Sequence, residues 1–173
     1  VGTDAGLVRL PTTVIKEEES LTVVVQGVSP ENQRGPMHCT WHLMKAAMGV
    51  YLFTYFYRGL PPNMGLFEPI TVLVEGPSVA NCTEEVAHGE GTSIAAMNVQ
   101  NLQVIGSKML FDSPFKLGVA APHSRNQLLN IYAGTNSYGY RTGNFPGTAN
   151  AGGQGARFDL DGEHGSGFFW ASL

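Results

Sequence analysis

This 173-residue sequence predicts an all-β fold of two sheets packed face to face, and three observations carry that prediction. Two runs, Leu21–Val25 (LTVVV) and Ile70–Val74 (ITVLV), are apolar and almost wholly β-branched, as buried strands are. Twenty-two glycines and ten prolines without a periodic repeat fit many short strands joined by turns. The third observation is residues 50–59, VYLFTYFYRG. As a strand this run points Val50, Leu52, Thr54, Phe56 and Arg58 to one face and Tyr51, Phe53, Tyr55 and Tyr57 to the other. A sheet face that meets water carries polar residues, so the tyrosine side is expected to lie under a helix, a long loop or a neighbouring subunit.

The remaining elements follow in order. Residues 1–10 read as an irregular lead-in closed by Pro11, and residues 12–15 as a short strand before the acidic turn Lys16-Glu17-Glu18-Glu19. After the strand at 21–25, a loop carries Ser29-Pro30 and Gly35-Pro36. Met37, Trp41, Met44 and Met48 then fall at helical spacing, with Gly49 where a helix C-terminus favours glycine, so residues 37–48 predict one amphipathic helix anchored by Trp41. The aromatic strand follows it and stops at Pro61-Pro62. Beyond the strand at 70–74, residues 78–91 read as a polar surface loop. Residues 93–99, 102–105 and 108–111 read as two strands bent at Gly106-Ser107 or as one long bulged strand. Alternation of Phe115, Leu117 and Val119 predicts a further strand ending at Pro122, and residues 128–132 another. Residues 134–155 form a long exposed loop, and residues 156–160 and 168–170 close the series as strands. Seven to nine strands with a helix near the start favour an eight-stranded antiparallel jelly-roll sandwich with one or two short helices, spanning 1–173 as a single domain in which 1–36 is an N-terminal segment holding the first strands.

Composition bounds the function. The chain is 14% charged, low against an average near 25%, which leans toward surfaces occupied by partners. Net charge is −4 and the ten Lys and Arg are scattered, so direct nucleic-acid binding is not expected. No apolar run approaches the roughly 18 residues of a membrane span, and no signal peptide is recognisable. Cys39 and Cys82 are too few for a disulfide framework, and two free thiols in a reducing compartment are expected.

Four segments carry a resemblance. A short helix running into a strand that ends Phe56-Tyr57-Arg58-Gly59, the stretch FKLGVAAPHS at 115–124, the segment 91–111 between them, and DGEHGSGFFW at 161–170 together resemble a capsid protein of the picorna-like positive-strand RNA viruses, from Met37 onward. That resemblance implies a non-enzymatic structural subunit of a virion, assembled in the host cytoplasm. Its partners would be sibling capsid proteins in an icosahedral shell, with genomic RNA touched only indirectly, and it would have no cofactor. A first residue other than Met is what release from a polyprotein would leave. Interface residues are then expected at Trp41, Tyr51, Phe53, Tyr55, Tyr57 and Arg58, and a host-receptor or glycan contact at Tyr132, Tyr138, Tyr140 and Asn144. The alternative is a carbohydrate-binding sandwich module, a lectin or adhesin, using the same Tyr/Asn-rich loop.

Chemistry is sparse by comparison. His38, Cys39 and His42 form HCxxH with the two histidines four apart on one helical face, but zinc needs a third and fourth ligand and nothing ties Glu84, Glu85 or His88 to them, so no metal site is expected. His123-Ser124 are chain neighbours with no orienting acid, and no G-x-S-x-G is present, so no catalytic residue is expected. Asp159, Asp161 and Glu163 alternate as they would on the wet side of a strand. Asn81-Cys82-Thr83 fits a glycosylation sequon but lacks a secretory context.

Overall fold

A computed structural model describes residues 7–33, 35–55, 59–83, 85–89, 91–121, 132–144 and 155–162. The chain divides into two compact units, Val1–Ile105 and Gly106–Leu173.

The first unit is built on a three-stranded sheet of β1 (Thr12–Lys16), β2 (Leu21–Val25) and β3 (Ile70–Val74), in that order. β1 and β2 are antiparallel, with Val14 opposite Val23. β2 and β3 are parallel, with Val23 opposite Val72. A parallel pair cannot be closed by a tight turn, and the crossover it requires contains helix α1 (Trp41–Tyr55). The sheet alternates as its sequence demands: Val23, Val25, Ile70 and Val72 are buried, while Ile15, Thr71 and Leu73 face out. These β-branched residues suit a pleated surface with one covered face, and each fully buried valine stabilises by about 1.5–3 kcal/mol.

Helix α1 is where the expected strand fails. Met44, Ala47, Met48, Tyr51 and Leu52 are buried, and their i, i+3, i+4, i+7, i+8 spacing is the helical period. The same face that begins in the methionines therefore continues into the tyrosines, and residues 50–55 are helix rather than strand. Gly49 does not end the helix but serves a close approach. The ring of Phe67, from the short 3-10 turn Met64–Phe67, lies where a Cβ on Gly49 would sit. Phe67 also meets the Phe53 ring edge to face, centroids 4.8 Å apart, and Lys45 Nζ lies 5.1 Å from the Phe67 ring and 5.2 Å from that of Trp41.

Helix α2 (Gly91–Phe111) replaces the strands expected at 93–99, 102–105 and 108–111. Gly91, Ile94, Ala95, Asn98, Val99 and Leu102 are buried at helical spacing, and Gly106-Ser107 lies within the helix. Amides share the buried face. Thr12 donates its hydroxyl to Asn98 Oδ1 (2.9 Å), and Asn101 Nδ2 donates to the Leu10 carbonyl (2.9 Å) and to Thr12 Oγ1 (3.2 Å). This ties the lead-in before β1 to the helix.

The second unit holds the last turns of α2, a 3-10 turn at Lys116–Gly118 where a strand was expected, and a hairpin of β4 (Tyr132–Thr135) and β5 (Arg141–Asn144). The hairpin occupies the front of the expected 134–155 loop. The strand expected at 156–160 is reduced to one bridge, Ala120 with Arg157. Residues 56–58, 122–131, 145–154 and 163–173 lie outside the described residues, and with them all but the last residue of the expected strand at 128–132, the expected strand at 168–170, and His123, Ser124 and Glu163. Among the described residues the arrangement is mixed α/β with small sheets and two helices. The eight-stranded antiparallel jelly roll is thereby overturned, because the aromatic and amide-rich runs bury by helical period and not by alternation.

Candidate functional site

Polar side chains converge in the first unit, where the loop after β2, the entry to α1 and the approach to α2 meet. His38 is fully buried there. Its Nε2 accepts the Asn32 N–H at 3.0 Å, so its Nδ1, 2.9 Å from the Ala87 carbonyl, must carry the proton and donate. Both ring nitrogens are used, and the side chain works as a strut between two loops. Backbone bonds continue the seam: Cys39 N–H donates to the Val79 carbonyl (2.8 Å), and Cys82 N–H to the Cys39 carbonyl (3.1 Å). Glu31 caps the next turn, its carboxylate accepting the Thr83 N–H (2.9 Å) and hydroxyl (3.2 Å).

The start of α2 is pressed against this seam. A Cβ on Gly91 would come within 2.8 Å of the His38 carbonyl oxygen, so only glycine allows the approach, and Gly91 N–H donates to the His88 carbonyl at 3.0 Å. His88 itself is exposed. Its Nε2 lies 3.1 Å from the Thr83 carbonyl and must be the donor, which leaves Nδ1 of the neutral ring as the basic nitrogen.

Both cysteines are free. Burial first, and then the nearby Cys82, pushes the Cys39 thiol up to about 12. Burial likewise raises Cys82, with Glu31 adding to the shift. Neither is a thiolate near neutrality, so neither is an activated nucleophile. His38 and Cys39 precede α1 rather than riding on it with His42, which removes the helical face on which the zinc reading stood. No group of three or more His, Cys, Asp or Glu able to hold a metal occurs among the described residues. The sequon asparagine is also engaged, its Nδ2 donating to the Val74 carbonyl at 3.2 Å.

The expected interface residues are only partly brought together. Trp41, Tyr51, Phe53 and Tyr55 lie along α1, with Tyr51 buried and Phe53 and Trp41 half-buried inside their own unit, while Tyr57 and Arg58 lie outside the described residues. Tyr132 and Asn144 are register partners in the β4–β5 ladder, and Tyr138 and Tyr140 stand exposed on its turn. His88 stands outside the residues that the sequence pattern singles out, because the strands expected over 93–111 hide the helix that begins three residues after it.

A family model for hydantoinase B/oxoprolinase matches residues 2–172. The chain belongs to the hydantoinase B/oxoprolinase family. Two solved structures share its fold. Nucleotide-free acetone carboxylase matches with a TM-score of 0.81 at 15% identity, covering 94% of this chain and 22% of that one. The ATP-dependent caprolactamase of Pseudomonas jessenii matches with a TM-score of 0.70 at 17% identity, covering 92% and 27% respectively. The chain thus spans about a quarter of either neighbour's length. Comparison with curated proteins returns no match.

Hydantoinase B/oxoprolinase is a family of cellular enzyme subunits, and this corrects the functional expectations together. The picorna-like capsid resemblance is wrong, as is the lectin alternative. The non-enzymatic reading, the icosahedral siblings, genomic RNA and host receptor as partners, and the virion location fall with them. The difference traces to α1, whose aromatic run buries by helical period where the aromatic-Arg-Gly segment of a capsid would be a strand.

Proposed function

We propose that this chain is part of an enzyme that couples ATP cleavage to a reaction at the carbonyl group of a small ketone or cyclic amide. The observation that supports the reading is the family match over 2–172, joined to two fold neighbours whose reactions are described as ATP-dependent, one on acetone and one on caprolactam. A ketone and a lactam share one reactive group. Transfer of the γ-phosphoryl group to the carbonyl oxygen forms an O–P bond and breaks the bond to the ADP leaving group. In a lactam, water then attacks the carbon, the ring C–N bond breaks as the nitrogen takes a proton, and a second water displaces phosphate, which leaves with the former carbonyl oxygen. In a ketone, loss of an α-proton yields an enol phosphate whose carbon bonds carbon dioxide as the O–P bond breaks and water accepts the phosphoryl group, so the ketone oxygen stays in the product. Both routes require proton transfer.

Within the chain, the β1–β3 sheet with its two helices acts as the frame that holds the His38 seam and the loop carrying His88. His88 is the side chain with the attributes of a proton-transfer group: an exposed ring whose tautomer is set by the Thr83 carbonyl. The test incubates the complete enzyme with acetone plus bicarbonate, caprolactam, 5-oxoproline or hydantoin, each with and without ATP, and measures product by mass spectrometry. Turnover of at least one substrate that requires ATP, reduced about 10²–10⁴-fold in His88→Ala, is the expected result. Turnover of none of the four, or turnover indifferent to ATP, defeats the reading, and an unimpaired His88→Ala removes His88 from the chemistry.

A further inference from the structure

We propose that Glu31 is a positioning residue for His88, holding in place the residue whose carbonyl fixes the imidazole; this rests on the reading of His88 as the proton-transfer group. Three consecutive residues of the loop after β2 reach the short stretch of chain that carries His88. The two oxygens of the Glu31 carboxylate act at its start: Oε2 accepts the Thr83 N–H at 2.9 Å and Oε1 accepts the Thr83 hydroxyl at 3.2 Å. Asn32 acts at the other end through His38. It donates its N–H to His38 Nε2 (3.0 Å), and His38 Nδ1 donates to the carbonyl of Ala87, the residue before His88 (2.9 Å). Gln33 Nε2 reaches the Glu85 carbonyl between them, at 3.5 Å. Beyond the histidine, Gly91 N–H donates to the His88 carbonyl (3.0 Å).

Of the three, Glu31 is the one that holds Thr83, and the Thr83 carbonyl is what the His88 ring meets, 3.1 Å from Nε2. Thr83 is exposed and belongs to no helix or strand, so no ladder fixes it. With its N–H and hydroxyl both bound by Glu31, the residue is anchored on the N-terminal side of its Cα and at its side chain. A single backbone torsion then separates that anchor from the carbonyl, and Glu85 N–H, donating to the same hydroxyl at 3.4 Å, restrains it. Hydrogen bonds to an ionised carboxylate are about twice as strong as neutral ones, which suits an acid to the task of holding an exposed residue.

The consequence falls on the imidazole. While the Thr83 carbonyl takes the Nε2 proton, Nδ1 is the nitrogen offered to a reacting group. Once Thr83 is released, the ring is free to turn and to take either neutral tautomer, and the basic nitrogen loses its fixed place.

Two readouts on the complete enzyme test this. With histidine labelled in nitrogen-15 and the His88 signals identified by their loss in His88→Ala, the neutral ring of wild type is expected to be wholly the Nε2–H tautomer by NMR, and that of Glu31→Ala a mixture of both. In turnover, Glu31→Ala is expected to lower kcat about 10–100-fold with KM little changed, the pattern of a lost interaction that acts on the reaction and not on substrate binding. Thr83→Val keeps the carbonyl and removes the hydroxyl. It is expected to show the same two changes at smaller size, and it carries the test if Glu31→Ala does not fold. Because the tautomer is read without turnover, the two failures are distinct: an unimpaired His88→Ala defeats the role given to His88. A mixed tautomer in wild type, variants whose ring stays wholly Nε2–H, or an unchanged kcat in Glu31→Ala beside an impaired His88→Ala overturns the proposal.

Discussion

Among the described residues, the two units differ in where their apolar side chains go. In the first, Val23, Val25, Met37, Met44, Met48, Ile94 and Val99 are fully or almost fully enclosed, and the loops between them are tied by His38, Glu31 and Asn81. In the second, Phe111, Phe115, Leu117, Phe158 and Leu160 remain about half or more exposed. Phe158 meets the Phe111 ring, at 5.9 Å between centroids, and the Lys116 ammonium, 4.6 Å from its centre. The first unit therefore has a closed core of its own. The second displays apolar groups of the kind that elsewhere mark contact surfaces.

The largest expected effect sharpens that contrast. Met44→Ala empties a fully buried site and is expected to cost about 2–5 kcal/mol, whereas Phe115→Ala, at a position 70% exposed, is expected to change stability by no more than about 0.5 kcal/mol. Urea unfolding of both variants checks this, and equal losses would erase the distinction between the units.

A smaller effect probes the closed core through pH. The Cys39 thiol is raised from its ordinary 9.0 to about 12 on folding, chiefly by burial, so the folded chain keeps its proton where the unfolded chain releases it. The stability this contributes is fully present below pH 9 and is lost as pH rises from 9 toward 12, at about 1.4 kcal/mol per pH unit. Urea midpoints measured across that window should fall more steeply in wild type than in Cys39→Ala. Parallel profiles would mean that Cys39 meets water in the native state.

How much of this was legible in the sequence varied with the kind of signal. β2 and β3 were readable to the residue, because LTVVV and ITVLV are short, β-branched and bounded by turn residues. β1 was readable to within one residue. The start of α1 was visible in its methionine spacing, and its second half was not, since Tyr and Phe favour strands and Gly49 looked like a stop. The burial of Tyr51 and Leu52 in register with Met44 and Met48, and the Phe67 ring seated on Gly49, are tertiary facts that override both preferences. Helix α2 was hidden because Asn98, Gln100 and Gln103 occupy its buried face and interrupt the apolar helical period, leaving short apolar runs that read as strands. The two roles at the polar seam were illegible for the same reason. His38 is a strut only because Asn32 and Ala87 lie on either side of it, and His88 is poised only because Thr83 holds one nitrogen. Family membership rests on a match over 2–172, and none of the motifs singled out in the sequence points to it.

The central claim, that ATP acts on the carbonyl oxygen of a small substrate, is tested most directly by following that oxygen. The complete enzyme would be given whichever cyclic amide it turns over, caprolactam, 5-oxoproline or hydantoin, labelled with oxygen-18 at the carbonyl, together with unlabelled ATP. The account predicts that the label appears in inorganic phosphate, one atom per turnover. Phosphate released without label, while product forms and the substrate retains its own, would contradict it.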